Sequence, residues 1–176
     1  MHVNRYQAFA VHLTASALVV GIFLLLTFFV WYPAPLFTVE GTRLPLQILV
    51  AVDIVLGPLL TLVVFKPGKP GLKLDLAIIL LIQLTAFIYG ASVIFRERPV
   101  IVSFAVDRFV VVAAAETKDL AMDKLDKDRV RLNVAGPTYV YAEQPDDPQL
   151  AQEIMLEALD GKPDIDKRPE YYRDFH

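Results

Sequence analysis

The chain has 176 residues, 55% of them hydrophobic, with 17 Lys and Arg against 20 Asp and Glu and a mean hydropathy of +0.47. That is too apolar for an ordinary water-soluble domain, and a mixed net charge of −3 argues against nucleic-acid binding. The absence of cysteine excludes disulfides, thiolate zinc sites, iron–sulfur clusters and a c-type haem attachment.

The apolarity is uneven. Nearly all of it lies before Glu97, and most acidic residues lie after it. That shift predicts a transmembrane domain over 1–98 and a water-facing domain over 99–176. Met1 to Gln7 is short and polar, and Ala8 to Val30 then carries no Lys, Arg, Asp or Glu. A secretory signal peptide is the competing reading, but its apolar core is about 7–15 residues and ends at small residues. This run is longer and ends Trp31-Tyr32-Pro33-Ala34-Pro35, so a retained transmembrane helix is expected at about 8–31, closed by an interfacial aromatic pair. Pro33 to Thr42 reads as a loop, with Gly41 permitting a turn.

The second apolar stretch organises the chain. Leu46 to Phe65 contains one charge, Asp53, and one helix breaker, Pro58. At about 1.5 Å per residue it spans a bilayer core of roughly 30 Å. Lys66, Lys69 and Lys73 follow, interleaved with Pro67, Gly68, Pro70 and Gly71, a turn at a membrane face suited to lipid headgroups. Asp75 is expected to cap a third helix at about 76–95. Orientation follows the positive residues. Arg5, Lys66, Lys69 and Lys73 fall on one side, and Arg43, Arg96 and Arg98 on the other. The amino terminus is therefore expected in the cytoplasm and the carboxy-terminal domain outside, in a periplasm.

The outer half begins with a strand, Val100 to Val106, which turns or bends at Asp107-Arg108 into Phe109 to Val112. A short solvated helix is expected over Thr117 to Lys127. A hairpin is expected from Val130 to Val134 and Thr138 to Ala142 around Ala135-Gly136-Pro137. Asp147-Pro148 opens a helix that Gly161 ends. The tail 164–176 reads as loose. The fold class is thus a membrane protein, a three-transmembrane-helix bundle followed by a small α+β extracytoplasmic domain.

Asp53 is the one ionisable side chain well inside a span, and such groups are costly in hydrocarbon. With Gly57, Pro58, Gln83 and Tyr89 it forms a candidate polar seam, either locking the bundle or receiving a polar group of another membrane protein. Pro58 deprives the carbonyl of Ile54 of its helical partner, which Thr61 or a neighbouring helix can offset. Asp107, Arg108 and Phe109 are a candidate outer contact, as are Tyr171 and Tyr172. His2, His12 and His176 are scattered, so no metal site is expected, and His12 reads as an interhelical hydrogen-bonding group. Asp53 and Asp75 sit at different depths, which argues against an intramembrane aspartyl protease. Gly68-Lys69-Pro70-Gly71 lacks a preceding strand and a following Ser or Thr, so it is not a phosphate loop. Catalytic residues, cofactors and a small-molecule substrate are not expected.

Several strings resemble the type IV pilin accessory protein family. They are Phe29-Val30-Trp31-Tyr32-Pro33, then Val52-Asp53-Ile54-Val55-Leu56-Gly57-Pro58-Leu59-Leu60-Thr61-Leu62, and Phe65-Lys66-Pro67-Gly68-Lys69. Phe104-Ala105-Val106-Asp107-Arg108-Phe109 and Arg168-Pro169-Glu170-Tyr171-Tyr172 continue the match. The resemblance is weakest between Ala113 and Asp160. It implies a non-enzymatic inner-membrane protein that assists assembly of a type IV pilin, its partner, by binding it in or beside the membrane. Asp53 and its neighbours are then expected to meet the pilin helix, which in that family carries a glutamate close to its start. The alternative from another class is a membrane-anchored sensor or regulator with a periplasmic ligand-binding domain.

Overall fold

The computed structural model describes residues 3–39, 42–127, 130, 132–133 and 135–175. The readings that involve Met1, His2, Glu40, Gly41, Arg131, Val134 and His176 lie outside these residues. The chain divides into two compact units, Met1–Phe95 and Arg96–His176.

The first unit holds three helices long and apolar enough to cross a membrane, Arg5–Trp31, Arg43–Val64 and Leu72–Arg96. The first starts ahead of the uncharged run because Asn4 and Gln7 form a reciprocal cap. The Gln7 amide donates to Asn4 Oδ1 at 2.9 Å and the Asn4 amide to Gln7 Oε1 at 3.0 Å. The third starts at Leu72, so Asp75 is not its cap. It stands inside the first turn, still at the positive end of the dipole, and pairs with Lys69 at 2.6 Å.

Two of the helices contain π turns, Thr27–Trp31 and Ala51–Leu56. In the first, the Tyr32 amide donates to Thr27 O at 2.7 Å. The wider turn carries Tyr32 inward, where it is buried and its hydroxyl donates to Ile94 O at 2.8 Å. Tyr32 therefore does not form an interfacial pair with Trp31. Its hydroxyl is satisfied inside the bundle, where an unpaired one would be costly. Around it Val20, Phe23, Leu46, Leu49 and Ile94 make the core. Phe23 meets Trp31 and Phe87 edge-on, with ring centroids 6.0 and 5.3 Å apart. The outward faces stay apolar, with Phe29 77% and Val63 81% exposed, a surface fit for lipid and unfit for water.

In the second unit, β1 (Pro99–Ala105), β2 (Arg108–Ala113), β3 (Thr138–Ala142) and β4 (Tyr172–Asp174) form one sheet in the order β2-β1-β3-β4. β1 pairs antiparallel with β2 and parallel with β3, and β3 pairs antiparallel with β4. The β1–β2 turn passes through Val106 at φ 56°. The helix Pro148–Leu159 is capped by Asp147, whose side chain accepts from the Gln149 amide, and Gly161 follows it at φ 86°. Ile101, Val112, Val140, Ile154, Ile165 and Tyr172 are central to the core of this unit.

Three expectations for this half are corrected. Thr117 to Lys127 is not one helix but two short 3-10 turns, Glu116–Lys118 and Met122–Lys124. An eleven-residue helix is marginal by itself, and the broken path lets Leu120, Met122 and Leu125 all reach the core. The expected hairpin is absent among the described residues. Val130, Leu132 and Asn133 are not in a strand, and β3 instead takes β1 and β4 as neighbours. The tail is not loose, because Ile165, Asp166 and Tyr172 are buried and β4 closes the sheet.

Candidate functional site

The site starts at Pro58. Within the second helix the Gly57 amide donates to Val52 O, five residues back. The next bond in that register would run from residue 58 to Asp53 O, but proline has no N–H. Gln83 of the third helix supplies the missing donor, its Nε2 lying 3.3 Å from Asp53 O. Gly57 makes room for it, since a Cβ there would lie 1.7 Å from Gln83 Nε2. Asp53, Gly57, Pro58 and Gln83 are all buried, and the structure brings them together.

The side chains leave chemistry unused. Asp53 is 6% exposed, and neither its Oδ2 nor Gln83 Oε1 has a hydrogen-bond partner among the described residues. Gln83 Oε1 is an acceptor, because flipping the amide would set its oxygen against the Asp53 carbonyl, whereas the Asp53 carboxyl accepts when ionised and donates when protonated. Asp53 lines two grooves. One, of about 150 Å³, lies between the first and third helices and includes His12, Ser16, Gln83, Leu84 and Phe87. The other, of about 340 Å³, lies between the second and third helices and includes Pro45, Ile48, Val52, Tyr89 and Gly90. Tyr89 is 72% exposed, so it stands on the wall of the larger groove and outside the Asp53–Gln83 contact.

His12 Nδ1 lies 2.6 Å from Thr61 Oγ1, joining the first and second helices. Thr61 therefore serves His12. The π turn and the Gln83 donor were the parts hardest to read in advance. Their one sequence signal was a proline with a glycine before it in mid-span.

The remaining expected residues are spread apart. Lys66 and Lys69 are exposed on the loop before the third helix, and Lys73 is exposed in its first turn. Arg108 Nη2 reaches Asp164 Oδ2 at 3.0 Å and Asp166 Oδ2 at 3.2 Å, fastening the tail to the β1–β2 turn. The Asp166 hydrogen bond, with the charge of Asp166 next, holds the Arg108 pKa above its usual value. Asp107 is exposed, and Phe109, 59% exposed, packs beside Phe104 and Phe175 at ring distances of 4.9 and 6.2 Å. Tyr171 is half-buried against the core. Tyr172 is fully buried and its hydroxyl donates to Asp166 O at 2.7 Å, so it is not a surface anchor. No group of three or more His, Cys, Asp or Glu suited to a metal occurs among the described residues.

Residues 2–41 match the family model described as fimbrial assembly protein FimB. Over 120 residues, 66% of the chain, it is 39% identical to a fimbrial assembly protein of serogroup I from Dichelobacter nodosus, covering 44% of that protein. It is 38% identical over 120 residues to the fimbrial assembly protein of serogroups C1 and C2 from the same organism, covering 86% of it. The serogroup E1 protein is 38% identical over 103 residues, of which 38% of its length is covered. The chain thus spans less than half of two of these relatives and most of the third. No solved structure matches it. On the extent of the C1 and C2 match, the chain belongs to the fimbrial assembly protein family.

Proposed function

We propose that this chain is a non-enzymatic accessory or chaperone protein of the bacterial inner membrane, which assists a type IV pilin on its way into pili. In this reading the three helices cross the bilayer. The amino terminus and the lysine loop face the cytoplasm, and the unit Arg96–His176 faces the periplasm. The bundle receives the membrane helix of the pilin beside its polar seam.

The observation that carries this is Asp53, nine-tenths buried in mid-helix with an oxygen that no described residue satisfies. An acid at such depth costs about 2.5–3.5 kcal/mol on insertion scales. A bundle that needed only packing would be better served by leucine. Family membership supports a pilin as the partner, since the relatives are named for fimbrial assembly. Where the pilin helix presents its own acid at the same depth, the two carboxyls must share a proton, because two unscreened charges there are prohibitive.

The test is affinity purification of the intact protein from gently solubilised membranes of fimbriate cells. The major pilin is expected among the recovered proteins. Its absence, with the accessory protein intact and abundant, would overturn the proposal.

A further inference from the structure

We infer that the smaller groove, between the first and third helices, is the seat of the partner's membrane helix, and that it accepts a side chain acting as a hydrogen-bond donor. This rests on the pilin-binding reading above and specifies its site. Both unpartnered oxygens, Asp53 Oδ2 and Gln83 Oε1, belong to residues that line this groove. The larger groove shares only Asp53 with it. Gln83 Oε1 can only accept, so its complement is a group that brings hydrogen: a protonated carboxyl, a hydroxyl or an amide. An ionised carboxylate is rejected by the same arrangement.

The surroundings select the rest of the occupant. Val19, Leu80, Leu84 and Phe87 line the groove with apolar surface, so the donor must arrive on an otherwise apolar segment. Lipid tails carry no donor at that depth. A transmembrane helix with one polar side chain near the middle of the contact meets both conditions. The groove also explains why Gln83 is glutamine. Its amide nitrogen is committed to the Asp53 carbonyl, which leaves the oxygen without a partner among the described residues.

The experiment places a photo-crosslinking residue at Ser16, or separately at Ile48 of the larger groove, in the full chain made together with pilin in native membranes. Ser16 is expected to capture pilin, and Ile48 is expected to capture none. Combining Asp53→Leu with Gln83→Leu should reduce the Ser16 capture about tenfold. Should that variant fold poorly, Ser16→Phe fills the groove from its half-exposed wall, and a probe at Leu84 should then lose pilin to the same extent. Capture from Ile48 alone, capture of a second copy at Ser16, or capture indifferent to these substitutions overturns the groove assignment. If pilin co-purifies while Ser16 stays silent, this inference fails and the pilin-binding reading survives. If pilin neither co-purifies nor crosslinks, both fall.

Discussion

The side-chain amide of Gln83 donates to the backbone carbonyl of Asp53 across two helices, standing in for the N–H that Pro58 lacks. The contact exists because residue 57 is glycine. Gly57→Ala should therefore push Gln83 out of place and lower stability by about 1–3 kcal/mol, the usual cost of overpacking. Thermal unfolding of the protein in detergent reads this directly. Adding Gln83→Ala should recover part of the loss, and a single variant that melts like the parent would contradict the contact.

His12 and Thr61 should couple. The double-mutant cycle of His12→Leu and Thr61→Val isolates their hydrogen bond. Interhelical bonds of this kind are worth about 0.6 kcal/mol on average. A cycle that closes at zero would mean the first and second helices are not joined there.

Tyr172 is the largest side chain fully buried in the second unit. Tyr172→Ala should cost about 3–5 kcal/mol and Tyr172→Phe only about 1 kcal/mol, the worth of the bond to Asp166 O. The rate at which the second unit is cut by protease in the intact protein separates the two. Burial also raises the Tyr172 pKa, so the folded unit favours the neutral phenol. That preference is fully present below pH of about 10 and is lost as pH climbs above it.

Glu157 behaves in the opposite sense. Hydrogen bonds from Lys162 and Arg168 lower its pKa. Its contribution is present above the usual glutamate value of about 4.3 and is lost as pH falls through the lowered folded value. Glu157→Gln should flatten the acid limb of stability, measured as resistance to pepsin below about pH 4.3. An unchanged acid limb would show that the cluster contributes nothing.

The proposed topology makes a further prediction. A reporter active only outside the cytoplasm, fused after His176, should be active, and the same reporter fused at Pro70 should be silent. The reverse pattern would invert the protein and move the outer unit into the cytoplasm.

What the sequence by itself determined is whatever depends on neighbours in the chain. Apolar runs of bilayer length, the lysine loop after Phe65, the cap at Asp147 and the β-branched run of β1 are all local, because hydropathy, capping and strand propensity act over a few residues. The lone acid at Asp53 was legible for the same reason. The tertiary structure alone decided the rest. It swung Tyr32 inward onto Ile94, seated Tyr172 in the core, tied the tail to Arg108, and paired β3 with β1 and β4. It also matched Gln83 to the carbonyl that Pro58 strands. Those outcomes depend on which groups meet across many residues, where an unsatisfied donor or acceptor in an apolar interior costs more than any local preference can offset.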